Sequence, residues 1–197
     1  MLDVPSGGPD GQAPDEGDSR SAGRRVEILG PHLRITGRLE LGTYRRLTDL
    51  VNASLGLLLV REPQVLLRDG QSANLEVGDL WVTPSGVTVI ADMEPKQEPS
   101  SGYGTFITKT PTALVIVTPG HTLTGRIYTP PEASLEVFLH SPDPVFLPMT
   151  EVSVRSLIDR EVEAEYAFAL LNRRHVIAAS LAVEALQSAT SLFDRLG

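Results

Sequence analysis

Six arginines lie close together near the start of the chain, between residues 24 and 46. Only two glutamates accompany them, so this segment carries a net charge of +4 in a chain whose overall net charge is −8. A guanidinium group donates paired hydrogen bonds that match a carboxylate or a phosphate. The segment is therefore a candidate surface for an acidic partner, with an interspersed charged surface as the plainer interpretation. Its candidate binding residues are Arg34, Arg38, Arg45 and Arg46.

A second group of cationic side chains falls in a predicted turn near the end of the chain. The sequence NRRH separates two apolar runs and places two arginines beside a histidine, whose charge changes near neutral pH. Such a turn could bind a phosphate or a carboxylate, and a solvated hairpin turn is the alternative. The candidate residues are Asn172, Arg173, Arg174 and His175.

Other polar side chains give no pattern for a metal or a cofactor. Glu161, Glu163 and Glu165 alternate along a predicted strand, about 7 Å apart, and could hold a divalent cation. No histidine or aspartate joins them at a suitable spacing, which favours a solvated strand face. The four histidines are scattered without a metal-binding spacing. We therefore predict no metal site and no cofactor.

Motifs for catalysis are missing as well. The sequence contains no G-x-S-x-G elbow, no P-loop and no G-x-G-x-x-G, and it has no cysteine for a nucleophile, a disulfide or a thiolate zinc site. These observations predict a protein that is not an enzyme.

Composition limits the partners and the location. The net charge of −8 opposes indiscriminate binding to nucleic acid or anionic lipid. No run approaches the roughly 18 apolar residues of a membrane-spanning helix. The first residues lack the basic and apolar regions of a secretory signal. The expectation is a cytoplasmic protein without membrane contact.

Short apolar runs broken by glycine, proline and polar residues predict a mostly β fold with short helices. The segment Leu33 to Leu41 alternates apolar and polar side chains, with Gly37 at an apparent bend. A short helix follows from the apolar spacing after Tyr44. The single tryptophan, Trp81, is expected to pack in the core.

The chain resembles itself when it is shifted by 88 residues. VEILGPHLRITGRLELGTYRRLTDLVNAS, from Val26, then lies over LVIVTPGHTLTGRIYTPPEASLEVFLHSP, from Leu114, with the bend glycines Gly37 and Gly125 matched. A one-residue insertion aligns Glu62 with Glu151. The offset of 88 is expected again at the end, where LWVTPSGVTVI faces FALLNRRHVIA. This pattern indicates an internal duplication, and a chance match between strand-rich segments is the alternative.

The duplication divides the chain into two similar units flanked by less regular segments. Residues 1–24 are rich in Gly, Pro, Asp and Ser and predict a disordered tail, and residues 94–104 predict a linker. Near-helical spacing of apolar residues at the end predicts an amphipathic helix. The predicted divisions are a disordered tail (1–24), a first small β barrel (25–93), a linker (94–104), a second small β barrel (105–179) and a C-terminal helix (180–197).

The stretch ALVIVTPGHTLTGRIYTPPEASLEVFLH resembles the first motif of Sm-like and Hfq-like small β barrels, and FALLNRRHVIA resembles their second motif. The combination with a short helix and VFLPMTEVSV is similar to uncharacterised bacterial proteins with barrels of this kind. The resemblance implies two tandem small barrels of SH3-like or Sm-like type, and oligomer formation. The Asp and Asn of the family's uridine pocket are replaced by the turn Thr129-Pro130-Pro131-Glu132, which argues against binding RNA in that way.

Three functions remain open from the sequence, and the third is an enzyme whose residues match no recognised catalytic motif. The first is a non-enzymatic protein-interaction or scaffold protein that binds a protein partner or itself, because small barrels leave strand edges free to pair. The second is a regulator that binds nucleic acid or a small anionic ligand through its arginine-rich face.

Overall fold

The computed structural model describes residues 23–54, 56–67, 74–75, 77–94, 110–130, 133–158 and 163–182. Nearly all of the predicted N-terminal tail, linker and C-terminal helix therefore lies outside the described residues.

Eleven strands, two short α-helices and two 3-10 turns make up the described chain, which confirms a mostly β fold. The first half contains β1 (Arg24–Leu29), β2 (Leu33–Leu39), α1 (Leu47–Ala53), β3 (Leu58–Leu67), β4 (Asn74–Leu75), β5 (Leu80–Val82), a 3-10 turn (Pro84–Gly86) and β6 (Val89–Asp92). The second half contains β7 (Thr110–Val117), β8 (His121–Thr129), α2 (Leu135–His140), β9 (Phe146–Ser156), β10 (Glu163–Asn172), a 3-10 turn (Arg173–His175) and β11 (Ala178–Leu181).

All eleven strands belong to a single antiparallel sheet. Ten follow the order β11-β7-β8-β9-β10-β6-β1-β2-β3-β4, and β5 also pairs with β3. In the described residues this sheet is not closed, so the arrangement as two tandem barrels stays a prediction. The two halves are joined where β10 pairs with β6.

Each half has a hydrophobic core, and each core includes residues from the other half. The core of the first half includes Phe146 and Leu170 from the second half. The core of the second half includes Leu29, Val89 and Ala91 from the first half. Side chains of a strand alternate between faces, so β6 and β10 send successive residues into opposite cores. This explains their nearly continuous apolar sequences.

A β-bulge interrupts the pairing at the same place in each half. The register shifts between Thr36 and Arg38, around Gly37, and again between Thr124 and Arg126, around Gly125. The strand opposite contains a glutamate with positive φ in both cases, at 49° for Glu62 and 52° for Glu151. A bulge adds one residue to one strand and bends it. Both halves carry the extra residue on the strand that contains the glutamate, which is β3 in the first half and β9 in the second.

The expected return to an offset of 88 at the end of each half is wrong. The two 3-10 turns are 89 residues apart. The closing strands keep this spacing. Val89 lies opposite Leu29, and Ala178 lies opposite Val117. Leu29 and Val117 are 88 residues apart, whereas Val89 and Ala178 are 89 apart.

The inserted residue therefore lies before the bulge, between the start of the short helix, where Leu47 and Leu135 are 88 residues apart, and the pair Val60 and Met149, which are 89 apart. The offset of 89 is then retained to the end.

Three further expectations differ from the structure. The apolar runs Leu57 to Val60 and Val65 to Leu67 predict two strands, whereas residues 58–67 form one strand, because the bulge bends the strand without ending it. The predicted boundary at 179/180 falls inside β11. Trp81 does not pack in the core: it is 59% exposed on β5, a strand with a neighbour on one side only among the described residues.

Candidate functional site

Three arginines form a row across the first half of the sheet. Arg25 on β1 lies directly opposite Arg38 on β2, and Arg38 lies directly opposite Arg61 on β3. Directly opposed residues share one face of a sheet and approach to about 5 Å. We call Arg25, Arg38 and Arg61 the arginine row.

The arginine row is only partly neutralised. Arg61 Nε donates to Glu40 Oε1 at 2.8 Å, and its guanidinium also pairs with Asp79. The hydrogen bond with Glu40 raises the pKa of Arg61 above its usual value. Arg25 and Arg38 are exposed and have no ion pair within the described residues. Like charges in directly opposed positions destabilise a sheet, so the Arg25–Arg38 pair lowers the stability of the folded state.

The four arginines predicted as a site have different surroundings. Arg38 belongs to the row and donates to the Gly23 carbonyl at 3.2 Å. Arg34 pairs with the buried carboxylate of Glu27. Arg45 and Arg46 lie exposed before α1.

Sequence reasoning missed Arg25 and Arg61 as members of the row. The signal for Arg25 was present, because the turn between β1 and β2 fixes the hairpin register and hence its pairing with Arg38. The signal for Arg61 was hidden by the bulge, which shifts the register of β3 at Gly37.

The second half offers a natural comparison at the matching positions. Ala113, Arg126 and Thr150 lie opposite one another there. The single arginine binds Glu151, with 3.1 Å between Nη1 and Oε1. The partly neutralised row of three arginines is therefore a property of the first half.

The predicted Asn172–His175 site lies at the joint between the halves. Asn172 is 1% exposed, and its amide donates to the carbonyls of Pro84 and Val87 at 3.2 and 2.9 Å. His175 Nδ1 lies 3.0 Å from Thr88 Oγ1, and its Nε2 lies 2.8 Å from the Ser85 carbonyl.

The two arginines of the same turn differ in exposure. Arg173 is buried, donates to the Ser141 carbonyl and lies over the Phe138 ring at 5.7 Å. Burial lowers the pKa of Arg173, against a smaller opposing effect of Asp143. Arg174 is exposed. The turn thus holds the two halves together and exposes one arginine, and whether it binds a partner stays a prediction.

Of the three alternating glutamates, Glu161 lies outside the described residues. Glu163 accepts a hydrogen bond from Arg155 Nε at 2.8 Å and one from Ser153 at 3.2 Å. The bond from Arg155 lowers the pKa of Glu163. Within the described ranges, no group of three acidic or histidine side chains is placed to hold a metal ion.

The sheet has an outer strand edge at the end of each half. On the first half, β5 exposes Trp81. On the second half, Ile177 and Leu181 at β11 are 66% and 55% exposed. Exposed strands with apolar side chains are ready to pair with another strand. We call these the β5 edge and the β11 edge.

No protein family, curated protein or solved structure matches this chain. No described helix is long and apolar enough to cross a membrane.

Proposed function

We propose that this chain is a non-enzymatic interaction or scaffold protein, built from a duplicated small β unit, that binds protein partners through its open strand edges. The observation that carries the proposal is the β10–β6 joint. There the outer strand of one half already binds the outer strand of the other, by main-chain hydrogen bonds and burial of apolar side chains. The same kinds of strand end the sheet on both sides.

The duplication is supported by features that recur in order in the two halves. Each half has a bulge at a glycine, a positive-φ glutamate opposite it, a short helix before the bulged strand and a 3-10 turn before the closing strand. Agreement at several levels favours a common unit over a chance match. The resemblance of this unit to Sm-like or SH3-like barrels is part of the proposal.

A peptide tests whether the edges accept a strand. A labelled peptide of residues 163–176, which contains the strand that pairs with β6 inside the chain, is expected to bind the full chain at the β11 edge. Ala179→Pro removes an edge N–H and should abolish the change in fluorescence anisotropy. Equal binding to both proteins, or no binding to either, contradicts the proposed function.

The arginine row favours a second candidate, a regulator that binds nucleic acid or another anionic ligand. Two directly opposed arginines without an ion pair in the described residues oppose folding, and a bound anion would neutralise them. We expect salt-dependent retention of the full chain on an RNA or DNA column.

Paired variants test that candidate. Arg25→Gln with Arg38→Gln should lower the salt concentration of elution, and should reduce the slope of log affinity against log salt by about 2. The control is Arg126→Gln with Arg155→Gln, which removes two arginines already paired with Glu151 and Glu163. If both double variants elute together, the arginine row is not the binding site.

A further inference from the structure

The β5 edge and the β11 edge are the counterparts of the two strands that meet at the internal joint. Within the joint, Leu170 on β10 lies opposite Ile90 on β6. An offset of 89 residues carries Leu170 to Trp81 on β5, and carries Ile90 to Ala179 on β11. Each end of the sheet therefore carries half of the joint.

We infer that these two edges pair with each other between chains, so that copies of this protein assemble head to tail through a repeat of the β10–β6 joint. The inference rests on the proposed function, because it names a second copy of the chain as the partner of the edges. It also fixes the register: Trp81 opposite Ala179, Leu80 opposite Ser180 and Val82 opposite Ala178.

The main-chain groups of the β11 edge face the right way for this pairing. Antiparallel neighbours alternate between residues that exchange hydrogen bonds and residues that do not. The Ala182 N–H donates to the Ala113 carbonyl at 2.9 Å, so the bonding groups of residues 178 and 180 face β7. Those of Ala179 and Leu181 face the open side.

The β5 edge has the matching orientation. At the joint, the Asn172 N–H donates to the Thr88 carbonyl, which places Leu170 and Ile90 in a hydrogen-bonded pair. The other neighbour of Leu170 is Pro148 on β9, which has no N–H to donate. Trp81 lies opposite Leu59 on β3 in the equivalent position, so its main-chain groups face away from β3.

Side-chain burial supports the same pairing. Leu170 and Thr88 are fully buried at the joint, where β10 and β6 cover each other. Their counterparts, Trp81 and Ile177, are more than half exposed at the edges, and both are large and apolar. Burying such side chains is the main favourable contribution to association. A second copy would cover both at once.

The contact between chains should be weaker than the joint within the chain. Hydrogen bonds of the Asn172 amide and the His175 ring stabilise the joint. At the β5 edge the corresponding residues, 89 positions earlier, are Thr83 and Gly86. Association is therefore expected to be reversible and concentration-dependent. Because the two edges differ, the contact is heterologous, and repeating it gives a ring or an open filament.

Blocking one edge at a time tests the inference in the full chain. Trp81→Pro and Ala179→Pro each remove one outward N–H without removing a bond to β3 or β7. In sedimentation velocity, the unmodified chain should form species larger than a dimer as its concentration rises. Each variant alone should stay monomeric, and an equal mixture of the two should give a dimer and nothing larger, because one good edge remains on each chain.

Several results would overturn the inference. If a single variant dimerises alone, two copies of the same edge pair with each other and the contact is not head to tail. The proposed function would still stand. If the unmodified chain is monomeric at every concentration, self-pairing is wrong, and peptide binding then decides the proposed function separately. If a chain ending at residue 182 associates and the full chain does not, residues 183–197 occupy the β11 edge, which also overturns it.

A second pair of variants covers the case in which proline disturbs folding. Trp81→Lys and Ala179→Lys keep every main-chain group and place a charge at the proposed contact. They should behave as the proline variants do, alone and mixed. Circular dichroism of each variant confirms that its fold is retained, and association of either lysine variant alone at the level of the unmodified chain counts against the inference.

Discussion

Gly37 lies on β2 at the bulge, where a side chain would meet β3. A Cβ atom at this position would be 2.5 Å from Val60 Cγ1 and 2.8 Å from the Arg61 carbonyl oxygen. At the matching Gly125, the nearest atoms would be Met149 Cε and the Thr150 oxygen, both at 3.1 Å. At Gly37 the added atom would meet backbone and the stiff β-branched side chain of Val60. At Gly125 it would partly meet the flexible end of Met149, which can move aside more easily.

We therefore expect Gly37→Ala to be more destabilising than Gly125→Ala. Overpacking costs typically about 1–3 kcal/mol, and Gly37→Ala should lie in that range. Urea unfolding of the two variants and the unmodified chain measures the difference. Equal losses, or a larger loss for Gly125→Ala, would show that the bulge in the first half relaxes more easily than these distances indicate.

At the scale of elements, the 3-10 turn after β10 fastens the second half to the first. Asn172→Ala removes the side-chain donor to the buried Val87 carbonyl, and a lost buried partner costs about 1–3 kcal/mol. The Pro84 carbonyl loses one donor and keeps the Val87 N–H. Arg174→Ala, at an exposed position in the same turn, should change stability by less than about 0.5 kcal/mol. Thermal unfolding distinguishes them, and similar midpoints for the two variants would contradict this role of Asn172.

The sequence predicted local elements better than long-range ones. The β1–β2 hairpin follows from alternation and a short turn, the first short helix follows from apolar spacing, and the alignment of the two halves at an offset of 88 places the second. The β10–β6 pairing joins segments far apart in sequence, and no local pattern reports it. The error at Trp81 has the same origin: a strand pattern shows that a residue can pack, but not whether a neighbour covers it.

The candidate site was predicted in part for a similar reason. Residue types located the arginine-rich segment, and Arg38 lies in the arginine row. Arg34 and Glu27 are diagonal neighbours in the β1–β2 hairpin, but the burial of Glu27 depends on tertiary packing, as does the burial of Asn172 and Arg173 at the joint. Composition alone does not distinguish an exposed cation from one that is already bound within the fold.

At the scale of the whole molecule, the two halves share their cores. Because Phe146 and Leu170 pack in the first core, and Leu29 and Val89 pack in the second, neither half has a complete core alone. We expect one cooperative unfolding transition, with equal calorimetric and van't Hoff enthalpies, at a concentration where the chain is monomeric. Two separate transitions would indicate that the halves fold as independent domains.

The shared position of β6 has a consequence for synthesis of the chain on the ribosome. When Asp92 has been made, its strand still lacks the β10 neighbour, which ends at Asn172, 80 residues later. Chains grow at about 5–20 residues per second, so roughly 4–16 seconds pass before that neighbour exists. During this interval the nascent first half presents an unprotected strand to other nascent chains on the same messenger, and the order of synthesis thus makes the central joint the point most exposed to misassembly.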